Sequence, residues 1–185
     1  MPRWGRRRRR TSAIGVVRCC STNRTSTTQF AGRADVLALD RTRRALLHIE
    51  NRTRFDDIQA FVGSYNAKRA YLAPDLAERL AIPGGFRTVT HVVAALWSSE
   101  VLHAVRLRRV SFAAVCPDSP DAFATWWDDA RPAPGTSSVF ILFDPIPGLR
   151  SSRRRWVGLD QLDRADPRYR GYAHAVDMLR AAGRM

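Results

Sequence analysis

The fold is decided by the segment ADVLALDRTRRALLHIENRT, which spans residues 34–53 of a 185-residue chain. Two short apolar runs, at positions 34–39 and 45–50, flank the polar sequence DRTRR at positions 40–44. Apolar runs of this length joined by a short polar turn are typical of a β-hairpin. The segment therefore predicts two antiparallel strands with a turn at 40–44.

Each outer end of the predicted hairpin carries an acid, Asp35 in the first strand and Glu50 in the second. These positions lie at the same end of an antiparallel pair, although one residue of register decides whether they share a face. Neighbouring carboxylates repel unless a cation or a proton neutralises them. Mg²⁺ typically binds one or two protein carboxylates together with substrate phosphates, and there it can polarise a phosphodiester. The pair therefore fits a metal site, and the alternative is exposed acids paired with Arg33, Arg52 or Arg54.

Beyond the hairpin, the chain alternates between helical and strand-like patterns. Helices are predicted at 56–72, 74–80, 98–115, 120–129 and 169–182, and strands at 86–97, 138–143 and 156–159. Gly63 lies inside the first of these helices and costs about 1 kcal/mol relative to Ala, which indicates close packing against the sheet or the close approach of a backbone. The order of elements predicts an α/β layered domain.

The net charge of +14 is concentrated at one end of the chain. Residues 1–33 contain nine Arg and no acid, whereas residues 34–185 carry a net charge of only +5. A segment of this composition cannot bury enough apolar surface to order itself, so we expect a disordered Arg-rich tail at 1–30 and a folded domain at 33–185. The tail has three open interpretations, which are a transit peptide, a basic arm that binds phosphates non-specifically, and a misassigned start.

Composition also excludes several classes of protein. No window approaches the ~18 consecutive apolar residues of a membrane span, so no membrane partner is expected. Three cysteines, two of them adjacent, cannot form a disulfide scaffold or a zinc ribbon. A reducing cytoplasmic location is therefore predicted.

The order and spacing of these motifs resemble the PD-(D/E)xK nuclease-like superfamily, in which an acid opens one strand, E-x-K closes the next, and a helix follows. The corresponding stretches here are A-D-V-L-A-L-D, then A-L-L-H-I-E-N-R-T, then D-D-I-Q-A-F-V-G-S-Y-N-A-K-R, and the resemblance covers roughly residues 33–97. The stretch at 49–72 and the later A-L-W-S-S-E-V-L-H also resemble a nuclease-like region found behind helix-turn-helix domains in some actinobacterial regulators. The resemblance implies a restriction-endonuclease-like central mixed sheet flanked by helices.

The resemblance also implies roles for individual residues. Asp35, Glu50 and the backbone carbonyl of Asn51 would be ligands of Mg²⁺. Arg52 stands where the superfamily has Lys, and because Arg is always protonated it cannot act as a general base, although it could neutralise a phosphate. Lys68, the only Lys in the chain, lies on the following helix and could supply the missing amine. The predicted catalytic set is therefore Asp35, Glu50, Arg52 and Lys68.

A wider set of side chains could contact nucleic acid through phosphate groups. The candidates are Gln59, Tyr65, Arg106, Arg108, Arg109, Arg153, Arg154 and Arg155. The alternative is that they are ordinary surface amides, half-buried aromatics and solvated charges.

Together these features predict a DNA-binding protein with a degenerate or weakly active nuclease-like core, which if active would be a Mg²⁺-dependent endonuclease. The alternative is a non-catalytic regulatory or interaction module, a C-terminal part of a helix-turn-helix transcriptional regulator. Whether the chain forms a homodimer stays open.

Overall fold

The structure is a computed structural model that describes residues 34–128, 131–146 and 155–183. Its strands are β1 (Val36–Asp40), β2 (Ala45–Arg52), β3 (Thr88–Leu96), β4 (Gly135–Phe143) and β5 (Trp156–Val157). Its helices are α1 (Ile58–Arg79), α2 (Ser99–Leu107), α3 (Arg109–Val115), α4 (Asp121–Trp127) and α5 (Tyr172–Ala181), with a 3₁₀ helix at Leu159–Arg164. The tail predicted at 1–30 and the side chains of Arg153 and Arg154 lie outside the described residues.

The predicted hairpin is confirmed as the antiparallel pair β1–β2, in which Val36 lies opposite Ile49 and Asp40 opposite Ala45. The carboxylate of Asp40 accepts a hydrogen bond from the backbone N–H of Arg43 at 2.9 Å and closes the turn. Arg44 completes the turn with a φ of 51°, in the left-handed region that non-glycine residues rarely adopt. Local turn chemistry thus fixes the hairpin register.

The five strands form one mixed sheet in the order β1-β2-β3-β4-β5. Strands β2, β3 and β4 are parallel to one another, while both edge strands run antiparallel to their neighbours. Parallel neighbours need long crossover connections, which α1 supplies between β2 and β3, and α2 to α4 supply between β3 and β4. The predicted fold class, a central mixed sheet flanked by helices, is therefore confirmed.

Each face of the sheet packs against a different set of helices. On one face, residues such as Val93 and Phe140 pack against Phe61 of α1 and Phe112 of α3. On the other, residues such as Val92 and Ile141 pack against α4 and Trp156. Burial on both faces explains why β3 and β4 are nearly continuous apolar runs rather than alternating ones. Glu50 and His48 belong to the face that α1 covers.

Helix α1 is longer than the sequence predicts. Two helices were expected, ending at Leu72 and restarting at Pro74, but one helix continues through Pro74 to Arg79. Proline in a helix interior removes one backbone hydrogen bond and disfavours the preceding turn. The helix continues because Leu72 and Leu76, which are one turn apart, both pack into a buried cluster with Leu46. Tertiary packing here outweighs the local preference.

The opposite difference occurs at 98–115, where one helix was expected and the structure has two. The break between them is at Arg108, where φ is −117° and ψ is 26°. Ser98 caps the first of them, because its hydroxyl accepts a hydrogen bond from the N–H of Val101. The thiol of Cys116, at the end of the second, is buried and is not part of a disulfide. None of the helices in the described ranges has the length and apolar character needed to cross a bilayer.

The prediction that Gly63 marks close packing in α1 is wrong. A methyl group built at this position would meet no atom within 4 Å, so the glycine serves no close approach to the sheet. It lies exposed in the interior of α1, where glycine weakens a helix through backbone entropy.

We therefore expect Gly63→Ala to raise the free energy of unfolding by about 0.5–1 kcal/mol. Urea denaturation followed by circular dichroism would measure the change. Gly85→Ala is the matched control, because Gly85 also has open space around it but holds a φ of 70°. That variant should lose stability, and a loss in Gly63→Ala would contradict the assignment.

Candidate functional site

The central feature of the α1-covered face is the carboxylate of Glu50, which is only 1% exposed. Its Oε1 accepts hydrogen bonds from Nε2 of His48 at 2.8 Å and from Nζ of Lys68 at 2.7 Å. Its Oε2 accepts one from Nη2 of Arg52 at 3.2 Å. Both carboxylate oxygens are therefore occupied by donors from β2 and α1.

Three local reasons bring these groups together. His48, Glu50 and Arg52 lie two residues apart along one strand, so their side chains leave the same face of the sheet. Helix α1 packs across that face and directs Lys68 toward it. The guanidinium of Arg52 also stacks over the ring of Phe61, 5.1 Å from its centroid. We call His48, Glu50, Arg52 and Lys68 the Glu50 cluster.

The charge of Glu50 is set by these neighbours. Burial alone would raise the pKa of this carboxyl group, but the hydrogen bonds from His48 and Lys68 and the positive charge of Lys68 hold it below its usual value. The carboxylate is therefore ionised in the interior, where it needs paired cations. Lys68 and Arg52, with side chains 12% and 31% exposed, provide them.

The Glu50 cluster continues inward to His91 on β3. Parallel pairing places His91 beside His48, and their Nδ1 atoms are 3.0 Å apart. When both rings are neutral, His48 donates its Nε2 proton to Glu50 and accepts the Nδ1 proton of His91. Within the described residues, Nε2 of His91 has no hydrogen-bond partner. Burial, together with the nearby His48 and Arg69, lowers the pKa of His91 to about 3, so this ring is neutral.

Asp35 is placed differently from Glu50. It lies exposed just before β1, and its carboxylate accepts a hydrogen bond from the backbone N–H of Asn51 at 2.8 Å. The hairpin thus brings both acids to the same end of the sheet, as predicted. However, Asp35 binds the backbone of β2, whereas Glu50 is enclosed by the side chains of the Glu50 cluster. Among the residues that the structure describes, no three His, Cys, Asp or Glu side chains are grouped to hold a metal ion.

The predicted phosphate contacts on α1 separate into one exposed and one buried residue. Gln59 is exposed and lines a cavity of about 580 Å³ with Arg108 and Ser111. Tyr65 is fully buried, and its hydroxyl lies 3.0 Å from Oγ of Ser138. Burial raises the pKa of Tyr65 well above its usual value, so its hydroxyl stays protonated in the interior. The expectation that Tyr65 contacts phosphate is therefore corrected, because it is inaccessible.

Three of the arginines that were predicted to contact phosphate form hydrogen bonds or ion pairs with other groups of the protein. Arg106 donates to the backbone carbonyls of Leu162 and Ala165 at 2.6–3.2 Å. Arg109 forms an exposed ion pair with Asp163 at 2.8 Å.

Arg155 is buried, and its guanidinium donates to the carbonyl of Asp144 and lies over the ring of Phe143. A buried guanidinium cannot reach a phosphate in solvent, so its predicted role in nucleic-acid binding is also corrected. Arg108, in contrast, is exposed at the cavity beside Gln59.

Sequence reasoning did not assign a role in the site to His48 or His91. The spacing of His48 and Glu50, two residues apart in a strand, is the signal that could have joined them. His91 could not be joined to them without the parallel register between β2 and β3. Both histidines are packed and hydrogen-bonded inside strands.

The described part of the chain is thus a mixed α/β domain with an ionised carboxylate enclosed by two cations and a histidine pair. We compared the chain with protein-family models, with curated proteins and with solved structures, and none of the three comparisons found a match.

Proposed function

We propose that this chain is a DNA-binding protein whose nuclease-like core is degenerate and does not carry out metal-dependent hydrolysis. The single observation that supports the loss of hydrolysis is the occupation of both Glu50 oxygens by Lys68, Arg52 and His48. Binding to DNA would rest on the net charge of +14 and its arginine-rich character. A cytoplasmic location is part of the same proposal.

The physical argument concerns charge. In a nuclease of the resembled superfamily, a divalent ion would neutralise the carboxylates. Here Lys68 and Arg52 already supply two positive charges beside Glu50. A Mg²⁺ ion that approached Glu50 would have to displace donors at 2.7–3.2 Å and would meet like charge on both sides. The cluster therefore favours a structural carboxylate over a metal ligand.

The test is retention and cleavage of a supercoiled plasmid by the full chain, with EDTA, Mg²⁺ or Mn²⁺. We expect retention that weakens steeply with salt and is indifferent to metal, with no nicked or linear product. Asp35→Asn is the appropriate variant, since Asp35 is exposed and Asn keeps an acceptor for the N–H of Asn51. Metal-dependent cutting that Asp35→Asn abolishes would overturn the proposal.

A second candidate is the non-catalytic regulatory or interaction module that does not bind DNA. Arg106, Arg109 and Arg155 favour it, because their guanidinium groups are held by protein carbonyls or by Asp163. The same retention assay separates the two candidates. A full chain that fails to retain plasmid even at low ionic strength would support the second.

A further inference from the structure

A cavity at the opposite edge of the sheet from Glu50 is lined almost entirely by arginines. Its volume is about 490 Å³, within the ~300–1,000 Å³ of small-ligand sites. Its lining consists of Arg43, Arg44, Arg87, Arg131 and Thr42. We call it the four-arginine cavity.

The cavity results from the parallel register of the sheet. Strands β2, β3 and β4 begin level with one another, since Ala45 pairs with Thr88 and Thr88 with Gly135. The residue before β2 is Arg44 and the residue before β3 is Arg87, so the sheet places both at one edge. Arg43 joins them from the hairpin turn and Arg131 from the segment before β4.

Backbone hydrogen bonds fix this edge. The N–H of Arg87 donates to the carbonyl of Arg44 at 2.7 Å, and the N–H of Gly135 donates to the carbonyl of Arg87 at 2.8 Å. The guanidinium of Arg44 donates to the carbonyl of Pro83 at 2.5 Å. The main chain at Arg44 and Arg87 is therefore held in place without a ligand, which reduces the entropy lost on binding.

The positive charges at this edge are only partly neutralised. Asp40 lies 3.5 Å from Arg43 and offsets one of the four. Among the described residues, the guanidinium groups of Arg87 and Arg131 have neither an ion pair nor a hydrogen bond. Like charges that share a cavity repel, and an anion is the species that relieves this repulsion.

We propose that the four-arginine cavity binds phosphate groups. Guanidinium forks match phosphate oxygens in bidentate geometry, and several forks around one cavity suit a dianion or a pair of phosphates. The phosphates could come from a free phosphate-bearing small molecule or from the backbone of a nucleic acid. The site lies at the end of β2 away from Glu50, so it does not depend on whether the nuclease-like interpretation holds.

The test compares three full-length proteins, which are the natural chain, Arg87→Gln/Arg131→Gln, and the control Arg164→Gln/Arg170→Gln. The control removes the same charge from two exposed arginines outside the cavity. One of them, Arg170, lies near the other end of β3, because its backbone carbonyl accepts a hydrogen bond from the hydroxyl of Ser99. The first 33 residues are common to all three proteins, so their contribution cancels. The probes are inorganic pyrophosphate, measured by calorimetry, and a fluorescein-labelled DNA duplex, measured by anisotropy.

We expect Arg87→Gln/Arg131→Gln to bind at least one probe about tenfold more weakly than the control does. Loss of duplex affinity, with a salt slope lower by about 1.8, identifies the nucleic-acid backbone as the source. Loss of pyrophosphate affinity alone identifies a free phosphate compound.

Equal affinity of the double variant and the control for both probes would overturn the proposal. All exchanged side chains are exposed, so their folding should match that of the natural chain, which thermal unfolding would check. If the double variant is unstable, Arg131→Gln alone gives the same comparison against Arg164→Gln, because Arg131 lies outside any strand or helix.

Discussion

Replacing Glu50 with Gln should lower the free energy of unfolding by about 3 kcal/mol, since it leaves two partly buried cations without their counter-charge. Lys68 and Arg52 lose the anion that they share, and His48 keeps only a neutral acceptor. The interior cannot solvate the remaining charge as water does, so the loss exceeds that of an ordinary hydrogen bond. Urea denaturation at pH 7, followed by tryptophan fluorescence, would measure it.

The matched control for this prediction is Glu78→Gln. Glu78 lies on the exposed surface of α1, and the same chemical change there should alter stability by no more than about 0.5 kcal/mol. A loss of less than 1 kcal/mol in Glu50→Gln, similar to that of the control, would indicate that the carboxylate does not hold the fold together.

Lys68→Met gives a second, independent check through a double-mutant cycle. If Glu50 and Lys68 stabilise each other, the double variant should lose less stability than the two single variants together, by about 1–3 kcal/mol. Met preserves much of the length and apolar character of the Lys68 stem. Strict additivity would mean that the 2.7 Å contact between Nζ and Oε1 contributes no net coupling.

The sign of the Glu50→Gln effect also separates the two roles of this carboxylate. In an empty metal site, crowded acids repel one another, so neutralising one of them stabilises the protein. In an ion cluster already balanced by Lys68 and Arg52, neutralisation destabilises it. If Glu50→Gln proves more stable than the natural chain when no metal is added, that result would favour the metal site that the sequence predicts.

The hairpin could be predicted from the sequence because its evidence is local. The Asp40–Arg44 turn and the flanking apolar runs are contiguous, and the structure has both strands and the turn where they were expected. Boundaries that depend on packing were less accurate. The continuation of α1 through Pro74 depends on the contact of Leu76 with the sheet, which no local pattern specifies.

The candidate site was predictable only in part, for the same reason. The sequence joined Glu50 to Arg52 and to Lys68, and the structure places all three in contact. It could not specify that α1 would cover this face and enclose the carboxylate. Nor could the sequence place His91 beside His48. The two histidines are 43 residues apart, and their contact depends on the parallel register between β2 and β3.

The arginines were hard to interpret from the sequence, because arginines that are close in the sequence do not lie in similar environments in the fold. Arg106 donates to a backbone carbonyl 56 residues further along the chain, and Arg155 donates to one 11 residues before it. In contrast, Arg44 and Arg87 are separated in sequence but lie together because two parallel strands begin at the same level. In this chain, runs of charge in the sequence are therefore a weaker guide to which arginines share a cavity than the positions that precede parallel strands.

Lowering the pH from 7 to 4.5 should cost the fold about 2.5 kcal/mol through His91 alone. The folded protein holds this ring neutral, with a pKa of about 3, because it is buried between His48, Tyr65 and the charge of Arg69. The unfolded chain has a normal histidine pKa of about 6.5 and binds a proton below it. The unfolded state therefore gains protons that the folded state excludes, and stability falls as the pH drops from 6.5 toward 3.

The pH range between 7 and 4.5 distinguishes the contribution of His91 to stability from that of Glu50. The pKa of Glu50 is lowered in the folded state, so its contribution is intact above the normal carboxyl pKa and is lost only at more acidic pH. His91→Asn keeps a polar group near the position of Nδ1 but cannot titrate, and His103→Asn is the control, since His103 is exposed on α2. Urea denaturation at several pH values should give a flatter profile between 7 and 4.5 for His91→Asn only. Equal slopes in both variants would mean that the acid sensitivity of the fold does not arise from His91.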